Sequence, residues 1–331
     1  MILFLNKMFS HWVTAGVKFS NYIKLFTQNN LHIQGIILIV ILDIIWGTTF
    51  PLVEKTVTNL SPSVIIATRF TVAAVFFSFN LRRLNWLILR DGLLLGLLFF
   101  SCLATETIAL ETTHANQASF VLSLSAIIVP LLSWLFGRRL PWKTFLSAGL
   151  AVIGIGVMFW EKGRLETGDL LLFFAALLYA IYTLKLEQAA PRHPPLTLTS
   201  IQLFTTAILG IFWSNTKLIE ELNSISENWA VIVYLGLVAT ALVIWLQTLA
   251  QRWMRSEEAA LLYTLEPIFS SIFSFLLLGE KFGINGIIGA TLVLSAIVFS
   301  QKSQNIQPEI VVEISKSDSA VLVVSEANCQ K

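Results

Sequence analysis

Ten apolar runs of bilayer length dominate this chain, at residues 34–53, 63–80, 90–110, 114–136, 143–161, 168–187, 196–214, 229–249, 257–278 and 283–300. A helix needs about 20 consecutive apolar residues to cross the hydrocarbon core. The runs are apolar on every face, whereas the strands of an outer-membrane barrel alternate over about 10 residues. The connections are short and carry the turn and charge signals, as in Asn59-Leu60-Ser61-Pro62, Gly137-Arg138-Arg139 and Pro191-Arg192-His193-Pro194-Pro195. None could house a soluble catalytic domain. Only 13% of the residues are charged, against about 25% in soluble domains. The sequence therefore predicts an all-α integral membrane protein of ten transmembrane helices. A net charge of +2 leaves no nucleic-acid footprint, and two cysteines, Cys102 and Cys329, give neither a disulfide framework nor a zinc spacing.

Loop charge sets the orientation. Lys7, Lys18, Lys24, Arg82, Arg83, Arg90, Arg138, Arg139, Lys143, Lys185, Arg192, Arg252, Arg255, Lys302, Lys316 and Lys331 fall on one side. Lys55, Lys162, Arg164, Lys217 and Lys281 fall on the other. The positive-inside rule then places both termini in the cytoplasm, and a miscounted span would scramble the pattern. The halves also resemble each other. Ala115-Asn116-Gln117-Ala118 opens span four and Ser256-Glu257-Glu258-Ala259 opens span nine; these spans end in Gly137-Arg138-Arg139 and Gly279-Glu280-Lys281. Two five-helix repeats, 34–161 and 168–301, would have to be inverted, because five is odd.

Several short motifs recur in order across these spans. They are Trp46-Gly47 and Lys55, Pro62 with Ala67-Thr68-Arg69-Phe70, Ala109-Leu110 and Pro130 in the first half. In the second half they are Gly168-Asp169-Leu170-Leu171, Ala239-Thr240-Ala241, Leu265-Glu266-Pro267, Leu278-Gly279-Glu280 and Gly289-Ala290. In these the chain resembles the EamA-type family of the drug/metabolite transporter superfamily, over about residues 34–301. The resemblance implies two inverted five-helix repeats, a central cavity, and movement of small organic solutes, often outward. The turn Gly137-Arg138-Arg139 departs from the Gly-Glu common in the family and found here at Gly279-Glu280.

Candidate site residues are polar groups inside the apolar runs. Charged residues at membrane depth are costly and are kept facing protein or water-filled cavities. Glu266 precedes Pro267, which breaks the helix beside a charge, and Tyr263, Ser270 and Ser274 share its face at helical spacing, a polar stripe that would line a cavity. As a buried neutral acid, Glu266 would instead only cap the Pro-broken turn. Arg69 and Glu106 stand at matching depth on successive helices, where they would bind an anion, gate the path or form a structural ion pair. Asp43 is in mid-span, with Trp46, Gly47 and Phe50 on its face. It would carry a proton, bind a substrate amine or bond a neighbouring helix. Gln202, Tyr179, Tyr182 and Gln247 offer hydrogen bonds to a solute or between helices. Trp86, Trp142, Trp160 and Trp229 suit an interfacial belt; Trp46, Trp134 and Trp245 lie deeper and suit a pocket. Gly154-Ile155-Gly156 follows no strand and is no dinucleotide loop; the glycines of spans five and ten suit close helix packing. The four histidines have no paired spacing, and no cofactor or metal pattern is present.

The sequence thus reads as a secondary transporter, of exporter type, for a small amino-acid-like or drug-like metabolite in the inner (cell) membrane. It is not read as an enzyme. The alternatives are an intramembrane enzyme, which lacks a paired-aspartate or Ser-His constellation, and a receptor or scaffold, for which the loops offer little surface. A nucleotide-sugar or phosphate-ester carrier would want more buried cations than Arg69. Proton coupling and a homodimer stay open. Residues 1–33 read as an amphipathic cytoplasmic segment, and 302–331 as a disordered tail.

Overall fold

The structure, a computed structural model, describes residues 31–304 except 81–83, 136, 139–141, 160–166 and 281–282. Nearly all of the amphipathic segment, the tail from 305, and the basic positions Arg82, Arg83, Arg139, Lys162, Arg164 and Lys281 lie outside the described residues, as does Trp160. The long helices are α1 Leu31–Val57, α2 Pro62–Phe77, α3 Trp86–Ala109, α4 Ala115–Leu135, α5 Trp142–Phe159, α6 Thr167–Ala189, α7 Pro195–Ser214, α8 Trp229–Ala250, α9 Ser256–Leu278 and α10 Ile284–Gln304. No strand occurs among the described residues. By length and composition, seven described helices could cross a membrane: α1, α3, α4, α6, α7, α8 and α9. Pro62–Phe77 and Ile284–Ala296 are shorter apolar stretches. The expected ends are close to the observed ones, although α1 runs on to Val57.

Local chemistry sets the boundaries. Pro62 and Pro195 open α2 and α7, where a missing N–H costs nothing. The Asn85 side chain accepts from the Ile88 N–H at 2.9 Å and caps α3. Gly279 ends α9 in the left-handed region, at φ 70°.

Three long helices are interrupted, each by the same device. Thr48, Ser123 and Thr264 donate their hydroxyls to the carbonyls of Ile45, Phe120 and Leu261, three residues back. Side chains that bond carbonyls in this way compete with the helix. The result is a turn at Thr48 in α1, at Ser123-Leu124 in α4, and a 3₁₀ turn at Tyr263–Leu265 in α9. Helix α8 carries a π-helical turn over Leu237–Leu242.

The bundle is inside-out. Asp43, Arg69, Glu106, Asp169, Gln202, Gln247 and Glu266 are buried, while Val152, Ile272, Phe275, Leu276 and Phe212 are exposed. Buried polar groups and exposed apolar ones are the informative departures from a soluble fold. Trp86, Trp142 and Trp229 stand exposed in the first turns of their helices, as a belt requires. The most extensive packing joins α5 to α10, α2 to α7, α1 to α9, α3 to α6 and α3 to α7, and α1 also packs on α8. Close contact of α5 and α10 runs through Gly154, where an added Cβ would stand 2.9 Å from the Gly289 carbonyl oxygen.

Candidate functional site

The helix interruptions meet at one interior cleft, part of it open to solvent. Thr49 and Phe50 follow the break in α1, Leu122 precedes that in α4, and Glu266 follows that in α9. Ala239 and Thr240 come from the π turn of α8. Trp46, Arg69, Phe99, Cys102, Glu106 and Tyr179 line the rest with Leu103 and Ile244. Irregular backbone at membrane depth is tolerated where it lines a cavity. Extra or missing turns also re-aim side chains, which is why π turns recur at functional sites.

The π turn holds the opposite wall. The Trp46 indole Nε1 donates to the Ala239 carbonyl at 3.1 Å, and Arg69 Nε donates to Thr240 Oγ1 at 2.9 Å. Arg69 and Glu106 share the cleft and feel each other's charge, but they make no direct ion pair. The helix lock suggested by their matching depth is thus absent: α8 takes the guanidinium instead. Glu266 begins the second segment of α9, with Pro267 behind it. A carboxylate in a helix's first turn is favoured by the macrodipole.

Of the sequence candidates, Glu266, Arg69, Glu106 and Trp46 converge on the cleft. Asp43 is fully buried on α1, one helical turn before Trp46 and near enough to Glu266 to feel its charge. Neither Asp43 carboxylate oxygen has a hydrogen-bond partner. Tyr263 stands behind the wall, its ring 6.2 Å from Trp46 and 5.8 Å from Tyr179 between centroids. Tyr182 and Gln202 lie deeper still. Tyr182 Oη donates to Gln202 Oε1 at 2.9 Å, and Gln247 Nε2 donates to Tyr179 Oη at the same distance. Tyr182 Oη also stands 3.4 Å from Gln247 Oε1, which links the two pairs into one buried network behind Tyr179, the member that reaches the cleft.

Two expectations are corrected. Ser270 and Ser274 do not line the cavity; both are fully buried, and the Ser270 backbone packs against Gly47 of α1. A shared helical face identifies a stripe, not its neighbour. Trp134 is half exposed and stands outside the cleft, as does Trp245; of the three deep tryptophans only Trp46 lines it. Thr49, Phe99 and Thr240 were missed. The hydroxyls that break the helices are ordinary Thr and Ser, and nothing in their spacing marks them.

At one end of the bundle, Arg138 after α4 reaches Glu257 at 2.7 Å and Glu187 at 3.1 Å, and Ser256 Oγ donates to Glu187 at 2.6 Å. Partial burial opposes the Arg138 charge, but hydrogen bonds and charge from Glu257 and Glu187 outweigh it and hold its pKa above the usual value. The departure at the first glycine turn thus has a reason: an acidic α9 start receives a basic α4 end.

A polytopic helical bundle with charged groups gathered at breaks in apolar helices is the build of a membrane transporter. The EamA-like transporter family model matches residues 33–160 and again 166–301. The chain belongs to that family. It is similar to an uncharacterized transporter of Archaeoglobus fulgidus, 28% identical over 77% of this chain and 82% of the relative. It is also similar to the uncharacterized transporter YyaM of Bacillus subtilis, 23% identical over 81% of this chain and 93% of the relative. A solved crystal structure shares the fold at TM-score 0.59 and 17% identity, covering 82% of this chain and 98% of its own.

Proposed function

We propose that this transporter exports a small organic metabolite, amino-acid-like or drug-like, by alternating access, and that protons or the solute's own positive charge neutralise the cleft. One observation carries the reading. Glu106 and Glu266 line the cleft and Asp43 stands behind it, against Arg69, the one cation that lines it among the described residues. Leaving such an excess of carboxylate unpaired away from water is costly. A phosphate-ester solute would meet the wrong sign of charge.

The architecture we infer is ten spans in two inverted repeats, with both termini cytoplasmic in the inner (cell) membrane. Four observations support it. One family model matches each half. Spans four and nine break eight or fewer residues after their starts and end at left-handed glycines, Gly137 and Gly279. An exchange of repeats converts the α3–α6 packing into α8–α1 and leaves α5–α10 and α2–α7 unchanged. The loop charges give the orientation. The helices too short by composition would then cross with the help of their packing partners. On this reading the Arg138 network closes the cytoplasmic end.

Thiol access tests alternation. Cys102 and Cys329 are replaced by serine and Thr49 by cysteine. A small membrane-impermeant thiol reagent should modify Thr49→Cys from either face of oriented vesicles. Modification from one face alone, under every solute and pH condition, would rule out alternating access.

A further inference from the structure

We propose that Glu54, His114 and Glu280 form a binding site for a divalent ion of the zinc class, at the end of the bundle opposite Arg138. The residues are remote in sequence, so no motif announces them. Their nearest ligand atoms all lie within 4.8 Å of one another. His114 Nδ1 is 3.2 Å from Glu54 Oε1 and 3.0 Å from Glu280 Oε1.

A single Nδ1 hydrogen cannot serve both carboxylates at once. An imidazole nitrogen carries at most one proton, and here Nδ1 is hydrogen-bonded to Glu54. Glu280 Oε1 is a buried oxygen with no hydrogen-bond partner, although it lies 3.0 Å from the same nitrogen. Protonating the imidazole supplies no second Nδ1 hydrogen. An ion among the three atoms would satisfy all of them. Zinc binds nitrogen and carboxylate oxygen at about 2.0–2.2 Å. The edges of such a tetrahedron are roughly 3.3–3.6 Å, so small movements would seat the ion. One imidazole with two carboxylates suits zinc, whereas magnesium and calcium favour all-oxygen shells.

The two carboxylates are held from behind. Glu54 Oε2 accepts from the Ala115 N–H at 2.7 Å and Glu280 Oε2 from the Asn116 N–H at 3.4 Å. Each is thereby fixed with its other oxygen towards His114, the outer-shell orientation that metal sites require. The glutamates are only 20% and 13% exposed, while His114 is 68% exposed and leaves a way in.

The ligands come from the end of α1, the start of α4 and the turn after α9, so a bound ion would pin three helices and both halves together. Binding does not depend on the transport reading. A second consequence does rest on it: the occupied site would hold this end shut and slow solute flux.

The test is calorimetric titration of ZnCl2 into chelator-treated full-length protein in detergent, with MgCl2 as the control. We expect one zinc per chain and no magnesium binding. His114→Ala and Glu280→Gln should each weaken zinc at least about tenfold. His32→Ala should not, although His32 also forms an exposed His–Glu pair, with Glu258 at 3.1 Å. Absence of zinc binding by the wild type, or undiminished binding by His114→Ala, would overturn the site. Binding lost with His114, but flux indifferent to zinc on both faces, would keep the site and overturn only its closing of the path.

Discussion

Glu266→Gln should fold and insert like the wild type yet lose coupled transport. Glutamine has nearly the same shape and can still offer an oxygen to a neighbouring donor. What it cannot do is take up and release a proton or oppose a cation. Glu266 lies where the broken α9 restarts, on the cleft wall with Arg69 and Glu106. Coupling between two ligands is typically about 1–3 kcal/mol, or roughly 5- to 150-fold. We therefore expect concentrative flux to fall by that order and the remaining flux to lose its pH dependence. If Glu266 only completes the first turn of a helix segment, glutamine would restore nearly everything. Wild-type flux with an unchanged pH profile in Glu266→Gln would establish that structural role.

Gly47→Val should damage the fold itself. A Cβ at this position would stand 2.9 Å from both the Phe269 carbonyl carbon and the Ser270 nitrogen. Those are backbone atoms of α9, fixed by their own helix, and cannot swing aside as a side-chain tip would. Overpacking typically costs about 1–3 kcal/mol, and contact with backbone puts this site at the upper end. The contact also sets the distance between α1, which carries Asp43 and Trp46, and α9, which carries Glu266. We expect Gly47→Val to lower the melting temperature in detergent and reduce the yield of monodisperse protein, with Gly47→Ala milder. A melting temperature unchanged by valine would mean that α1 and α9 do not approach as described.

What the sequence made legible follows from the kind of signal each feature leaves. Apolar runs are long, so the helices and their turns were readable to within a few residues. The buried charges were readable because the bilayer makes them conspicuous: Glu266, Arg69 and Glu106 were singled out and meet at the cleft. The chemistry between helices was not readable. Arg69 was matched to Glu106 by depth, but a π turn in α8 presents Thr240 instead. Ser270 and Ser274 were assigned to the cavity by periodicity, yet their face abuts α1. The breaks at Thr48 and Ser123 left no mark, because a hydroxyl bonding back to a carbonyl uses residues common in any helix. The Glu54–His114–Glu280 cluster was invisible because three distant segments supply it.

The central claim is that the cleft carries a solute whose movement is tied to charge on its carboxylates. Reconstituted vesicles screened with radiolabelled amino acids, amines and small aromatic cations test it directly, with flux measured as the pH gradient is varied. The account predicts saturable, protein-dependent flux of at least one such solute, driven by the pH gradient or the membrane potential and lost in Glu266→Gln. Flux that is saturable but identical in wild type and Glu266→Gln at every pH and potential would contradict it.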